Sequence, residues 1–146
     1  IQRSRGLGDV YKRQDNNIRK FKSNNLKFIK IDITKESLPE SDLMICRDCL
    51  IHLSFESIRL FFENFRKSKI NYLLLTTYKL KNKNKKLDNL DIPDGEYREI
   101  DLTRPPFLLP SPLHEILDKD ELNKNSGFNC YLNLYSKSQI NDLKFK

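Results

Sequence analysis

Asp42-Leu43-Met44-Ile45-Cys46-Arg47-Asp48-Cys49-Leu50-Ile51-His52-Leu53-Ser54 is the run whose reading decides the fold. Leu43 to Cys46 are apolar without interruption, which predicts a short strand covered on both faces. Arg47 and Asp48 end it. Ser54 then offers a hydroxyl to the open N–H groups of a helix, and Glu56 falls in the positively polarised first turn. Leu53 and Ile58 stand at the spacing of a hydrophobic staple. Ile58, Phe61, Phe62 and Phe65 recur at helical spacing and predict one packed stripe. Arg66, Lys67 and Lys69 favour the C-terminal end. Residues 70–78, Ile-Asn-Tyr-Leu-Leu-Leu-Thr-Thr-Tyr, form the strongest strand signal in the chain. Strand, helix and strand in that order predict a βαβ unit, whose right-handed crossover makes the strands parallel. Ligands of such sheets bind beyond the carboxyl ends of the strands. Cys46, Arg47, Asp48 and His52 would stand at such an end.

Outward from this unit, residues 26–33 are rich in β-formers and read as an earlier strand, broken by 34–41 with Pro39. Residues 79–112 read as a long irregular insertion, and loops of that length are usually functional or disordered. Residues 113–118 and 130–135 flank a polar connection and predict a closing antiparallel hairpin. A short helix over 113–118 is the alternative. The fold class expected is α/β, a Rossmann-like and mostly parallel sheet with a C-terminal antiparallel hairpin.

The chain has 146 residues, a length that suits one domain, and a formal net charge of +7. Much of that surplus sits in residues 1–14, where Arg3, Arg5, Lys12 and Arg13 face Asp9 alone. This stretch lacks apolar periodicity, resembles translated adaptor sequence, and reads as a non-native leader before a domain at 15–146. A second basic run, Lys79 to Lys86, reads as a solvated loop, with no aromatic residue interleaved to stack on bases. No segment is apolar enough to span a membrane or to serve as a signal peptide. Three cysteines without a secretory signal suit a reducing cytoplasm. Cys46-x-x-Cys49 with His52 lacks the fourth ligand of a structural zinc, and no thioredoxin-like context surrounds the pair. No metal is expected, and Cys49 reads as a small buried residue.

The runs Phe28-Ile29-Lys30-Ile31-Asp32-Ile33, Cys46-Arg47-Asp48-Cys49-Leu50-Ile51-His52-Leu53-Ser54 and Arg104-Pro105-Pro106-Phe107-Leu108-Leu109-Pro110-Ser111-Pro112-Leu113 resemble small bacterial methyltransferases. The order of elements is similar to the second half of a class I S-adenosylmethionine-dependent methyltransferase. The resemblance implies S-adenosylmethionine as cofactor and a small-molecule methyl acceptor. Asp32 would accept a hydrogen bond from the adenine amino group, and Ile33 would donate its backbone N–H to the ring. Cys46 and Arg47 would line the methionine side, while Asp48 and His52 would lie near the acceptor. The family's first strand and glycine-rich loop have no counterpart here, since Gly6-Leu7-Gly8 follows no strand and precedes no helix. The resemblance therefore implies a C-terminal fragment with a bare sheet edge, active as part of its parent and a poor cofactor binder alone.

Other roles remain open for the same residues. Asp32 could cap a turn. His52 could act as a general base or anchor its loop through a ring hydrogen bond. Asp48 could orient an acceptor or pair with Arg47 or Arg98. Arg104-Pro105-Pro106-Phe107 reads as an extended strap across the sheet end, or as an acceptor-side lid. The competing functions are a non-catalytic nucleotide-binding module of the same fold and a basic nucleic-acid-binding domain using Lys79 to Lys86.

Overall fold

The computed structural model describes residues 16, 19–21, 23, 25–82, 88–119 and 127–145. The suggested leader at 1–14 lies outside them. The chain forms two units, Ile1–Asp32 and Ile33–Lys146. In the first, the described residues hold an isolated bridge between Ser23 and Leu26 and no strand. The strand expected at 26–33 is therefore absent. High β-propensity makes a strand only where a neighbour satisfies its N–H and C=O groups, and no described strand pairs with this segment.

The second unit is built on a four-stranded sheet. β1 (Leu43–Cys46) and β2 (Tyr72–Leu80) pair in parallel, with Met44 opposite Leu73 and Cys46 opposite Leu75. Helix α1 (Phe55–Lys67) makes the crossover, entered through a short 3-10 turn at Leu50–His52. β3 (His114–Asp118) and β4 (Phe128–Ser136) form the hairpin, and β4 lies between β2 and β3, antiparallel to both. The sheet is thus mixed, not mostly parallel, and 113–118 is strand, not helix. β2 runs two residues further than its apolar run suggests. That extension takes Lys79 out of the expected basic loop, pairs it with Glu115 and sets it over the Tyr131 ring at 5.1 Å.

The aromatic stripe of α1 does what its spacing predicts. Ile58, Phe61, Phe62 and Phe65 are fully buried in a core with Cys46, Leu73, Leu75 and Tyr135. Burying each large side chain is worth about 1.5–3 kcal/mol. The Ser54 hydroxyl accepts from Ser57 N–H at 3.2 Å, as an N-cap should. A second short helix, α2 (Lys137–Asn141), opens with a Ser136/Gln139 capping box and is tied to α1 by Arg66. Arg66 donates to Ile140 O at 3.0 Å and to Leu143 O at 2.6 Å.

The opposite sheet face is exposed at the β1 end and along β3, while Thr76, Tyr78 and Cys130 on the same face are buried. Leu43, Ile45 (61% exposed), Tyr72 and Ile116 share it and are exposed. The expectation that β1 is covered on both faces therefore fails, because among the described residues the helix packs on one side only. No described helix is long and apolar enough to cross a membrane.

The insertion contributes to the core. Ile100, Leu102, Phe107 and Leu109 are buried within it. Phe107 meets Phe55 edge-on at 5.3 Å, which supports the strap reading. The Arg104–Phe107 stretch is a tight turn with a cis Pro105–Pro106 bond, not an extended run. Arg104 N–H closes onto Asp101 O at 3.0 Å. Beyond the last residue of β1, the strap takes over its edge: Tyr78 N–H donates to Ile100 O at 2.8 Å. The buried Thr77 hydroxyl accepts from Leu102 N–H at 3.0 Å and donates to Ile100 O at 3.3 Å. Thr77→Val keeps the shape and orphans one buried donor, Leu102 N–H, since Ile100 O keeps its bond from Tyr78 N–H. It should lower unfolding free energy by about 1–3 kcal/mol in urea titrations, and a change within experimental error would mean that the strap does not depend on Thr77.

Candidate functional site

The site is the loop that leaves β1. Cys46 is buried at the strand end, and Arg47 turns outward. Its Nε and Nη2 both donate to Asp118 Oδ2, at 3.0 and 2.9 Å, across the top of the sheet from β3. Arg47 Nη1 also lies 3.5 Å from Asp48 Oδ2. Of the two partners considered for Asp48, Arg47 is the one present. Asp48 has φ 52°, a left-handed conformation that aspartate tolerates better than most side chains. Thr76 in β2 holds it there: Asp48 N–H donates to Thr76 Oγ1 at 2.9 Å, and that hydroxyl faces Asp48 Oδ1 at 3.4 Å.

The strap closes the other side. His52 Nδ1 lies 2.8 Å from Glu96 O, and a carbonyl only accepts, so Nδ1 carries the proton. A neutral ring then keeps its lone pair on Nε2. The anchoring and base readings of His52 are thus compatible, one per nitrogen. The Tyr97 ring packs at 5.8 Å from the imidazole. Two further backbone bonds fix the strap under the turn: Gly95 N–H to His52 O at 2.7 Å and Arg98 N–H to Ile51 O at 3.1 Å. Gly95 has φ 95°, where a side chain would be strained.

Two carboxylates of the strap sit on the N-terminus of α1. Asp91 Oδ1 accepts from Phe55 N–H at 2.7 Å, and Asp94 Oδ1 accepts from Ser54 N–H at 2.6 Å. Asp94 Oδ2 also accepts from the Ser57 hydroxyl at 2.7 Å. They satisfy donors a helix start leaves open, where its dipole favours negative charge. The Ser54 N–H and the Ser57 hydroxyl hold the Asp94 carboxyl below the usual carboxylate range. Arg98, buried beside them, stacks on Phe55 at 5.3 Å and gives one hydrogen bond from Nη1 to Ile51 O. Burial pulls its pKa down, and the Asp91 charge opposes that.

Two nearby phenols and the Cys130 thiol are poor bases. Burial raises Tyr78, Tyr97 and Cys130 above their ordinary values, so each stays protonated at neutral pH. The Asp48 carboxylate and the His52 Nε2 lone pair are hydrogen-bond acceptors of this loop. Asp32 and Ile33 stand where the two units join, on backbone that forms no strand. The strand tip their adenine role requires is missing. Ile33 O instead accepts from the Asn64 side chain at 2.8 Å. A cavity of about 360 Å³ lies away from the loop, lined by Lys35, Ser37, Asn64 and Lys69 among others. Among the described residues, no group of His, Cys, Asp and Glu is arranged to hold a metal ion.

Asp118, Thr76, Asp91 and Asp94 are site residues that sequence reasoning missed. Only Pro93-Asp94-Gly95 carries a readable signal, that of a tight turn. Comparison with protein-family models, curated proteins and solved structures gives no match to this chain.

Asp94→Ala should cost about 0.5–2 kcal/mol of stability at neutral pH, as loss of a helix cap does. The native carboxyl titrates below its unfolded value. Its contribution is therefore complete above the unfolded value and is lost as pH falls through the depressed folded one. Wild type and variant should converge in acid in pH-dependent denaturation curves. A gap that stays constant with pH would assign it to packing, not charge.

Proposed function

We propose that this chain carries the second half of a class I S-adenosylmethionine-dependent methyltransferase domain, Rossmann-like in sheet and cytoplasmic, acting on a small-molecule acceptor. The observation that carries the reading is the sheet. A parallel βαβ unit ends in the loop 46–52, and an antiparallel hairpin follows the insertion, in the order of the resemblance. The exposed Leu43, Ile45 and Tyr72, and the edge position of β1 among the described strands, support a larger sheet, since parallel strands are ordinarily covered on both faces. Asp32 and Ile33 take their adenine roles only once further strands extend that edge and pair with 26–33.

In this reading S-adenosylmethionine supplies an electrophilic methyl group, with Cys46 and Arg47 on its methionine side. Methyl transfer from a sulfonium is an in-line displacement, so holding acceptor and methyl aligned supplies most of the acceleration. Asp48, fixed by Thr76, orients the acceptor. His52, fixed through Nδ1, presents Nε2 to the acceptor's proton. The strap excludes water over the same loop. Nucleic acid fits less well, because Lys79 is engaged by Glu115 and Tyr131.

The test is titration of S-adenosylhomocysteine into the longest natural reading frame that contains this sequence. Saturable binding is expected, weakened by about 1–3 kcal/mol in Asp32→Ala, the range for a charge-assisted hydrogen bond. No saturable binding would overturn the reading, and an unchanged affinity in Asp32→Ala would remove that residue from the site.

A further inference from the structure

Three free cysteines lie among the described residues, and two of them share the strand-end loop. Cys46 is the last residue of β1 and is 4% exposed. Cys49 stands at the N-terminal boundary of the Leu50–His52 turn and is half-buried. Between them the chain reverses through Asp48 in its left-handed conformation, held by Thr76. The reversal sets the two cysteines three positions apart on one tight turn, and both pack into the same hydrophobic core. Cys130, buried on β4 beside Tyr78, is the third thiol and contacts a phenol instead.

We infer that Cys46 and Cys49 form an oxidisable dithiol, which a hydroperoxide converts to a disulfide within the loop 46–49. Neither the methyltransferase reading nor any bound group is needed for this. The more exposed sulfur attacks first. The neighbouring Cys46 thiol lowers the Cys49 pKa against the opposing effect of burial, whereas Cys49 and burial together raise Cys46. The Cys49 thiolate therefore attacks the terminal oxygen of the peroxide. The O–O bond breaks, the leaving oxygen takes a proton and departs as water or alcohol, and Cys49 becomes a sulfenic acid. Cys46 then attacks the Cys49 sulfur. The S–S bond forms, the S–OH bond breaks, and the Cys46 proton leaves with that hydroxyl as a second water. The peroxide is reduced by two electrons and the two thiols are oxidised by two.

The disulfide would lock the turn around Asp48 and bind the end of β1 to the start of the His52 turn. It would act on the residues facing the strap and leave the Thr77 and Asp94 anchors untouched.

The experiment is stoichiometric hydrogen peroxide treatment of the reduced chain, followed by thiol counting, intact mass and peptide mapping. Two of three thiols should disappear, with a mass lower by two hydrogens and a Cys46–Cys49 crosslink that dithiothreitol reverses. Cys130→Ser should behave identically. Cys49→Ser, whose substitution lies outside the buried core, should form no intrachain disulfide. The native chain should close the bond about tenfold faster than the same chain in denaturant, because the fold presents the attacking pair. The inference is overturned by three surviving thiols, a crosslink that includes Cys130, oxidation of Cys49 to the sulfinic acid with Cys46 still free, or equal rates in native and denatured chain.

Discussion

The Thr77 hydroxyl, buried in the middle of β2, is the contact on which the rest of the arrangement turns. It accepts from Leu102 N–H and donates to Ile100 O, and one residue later Tyr78 N–H reaches the same carbonyl. β1 is only four residues long and stops opposite Leu75, so the upper part of β2 would otherwise present open donors beside the site. Unpaired buried groups of that kind cost about 1–3 kcal/mol each. The strap satisfies them and in doing so is brought over the loop 46–52.

The strap's second attachment is electrostatic. Asp91 and Asp94 accept the first N–H groups of α1, where the loop from β1 becomes helix. Between the two attachments, Gly95, Glu96 and Arg98 bond to His52, the His52 ring and Ile51 in turn. Residues at 46–52 and at 94–98 thereby become one surface, although more than forty positions of sequence separate them. Arg98 marks the strain in this design. Its Nε and Nη2 are buried without a hydrogen-bond partner among the described residues, and the Phe55 face and the Asp91 charge are what offset that burial.

The parts of this fold legible in sequence were those fixed by local period. The Ile58–Phe61–Phe62–Phe65 stripe, the Ser54 cap and the 70–78 run each carry their signal within a few residues, and all appear in the structure. The hairpin followed from two apolar runs around a polar connection. Residues 26–33 carry an equally good local signal and make no strand, because a strand is a property of a pair and no described neighbour takes part. The strap's docking depends on Thr77, Asp91 and Asp94 finding backbone groups far along the chain, which periodicity does not encode. The Ser136-x-x-Gln139 capping box is written in the sequence, but it follows directly on a strand whose apolar run masks it. At the site, Arg47, Asp48 and His52 do gather, whereas Asp118 reaches Arg47 only through the hairpin's position in the sheet.

The strap belongs to the cooperative fold and is not a loop laid over it. Native-state hydrogen exchange followed by NMR measures this directly at the amides of Ser54, Phe55, Arg98 and Leu102. They should exchange with the same opening free energy as Leu75 and Tyr78 in β2, since their acceptors are one connected network. Exchange of Arg98 and Leu102 at the rate of an open loop, while β2 stays protected, would contradict it.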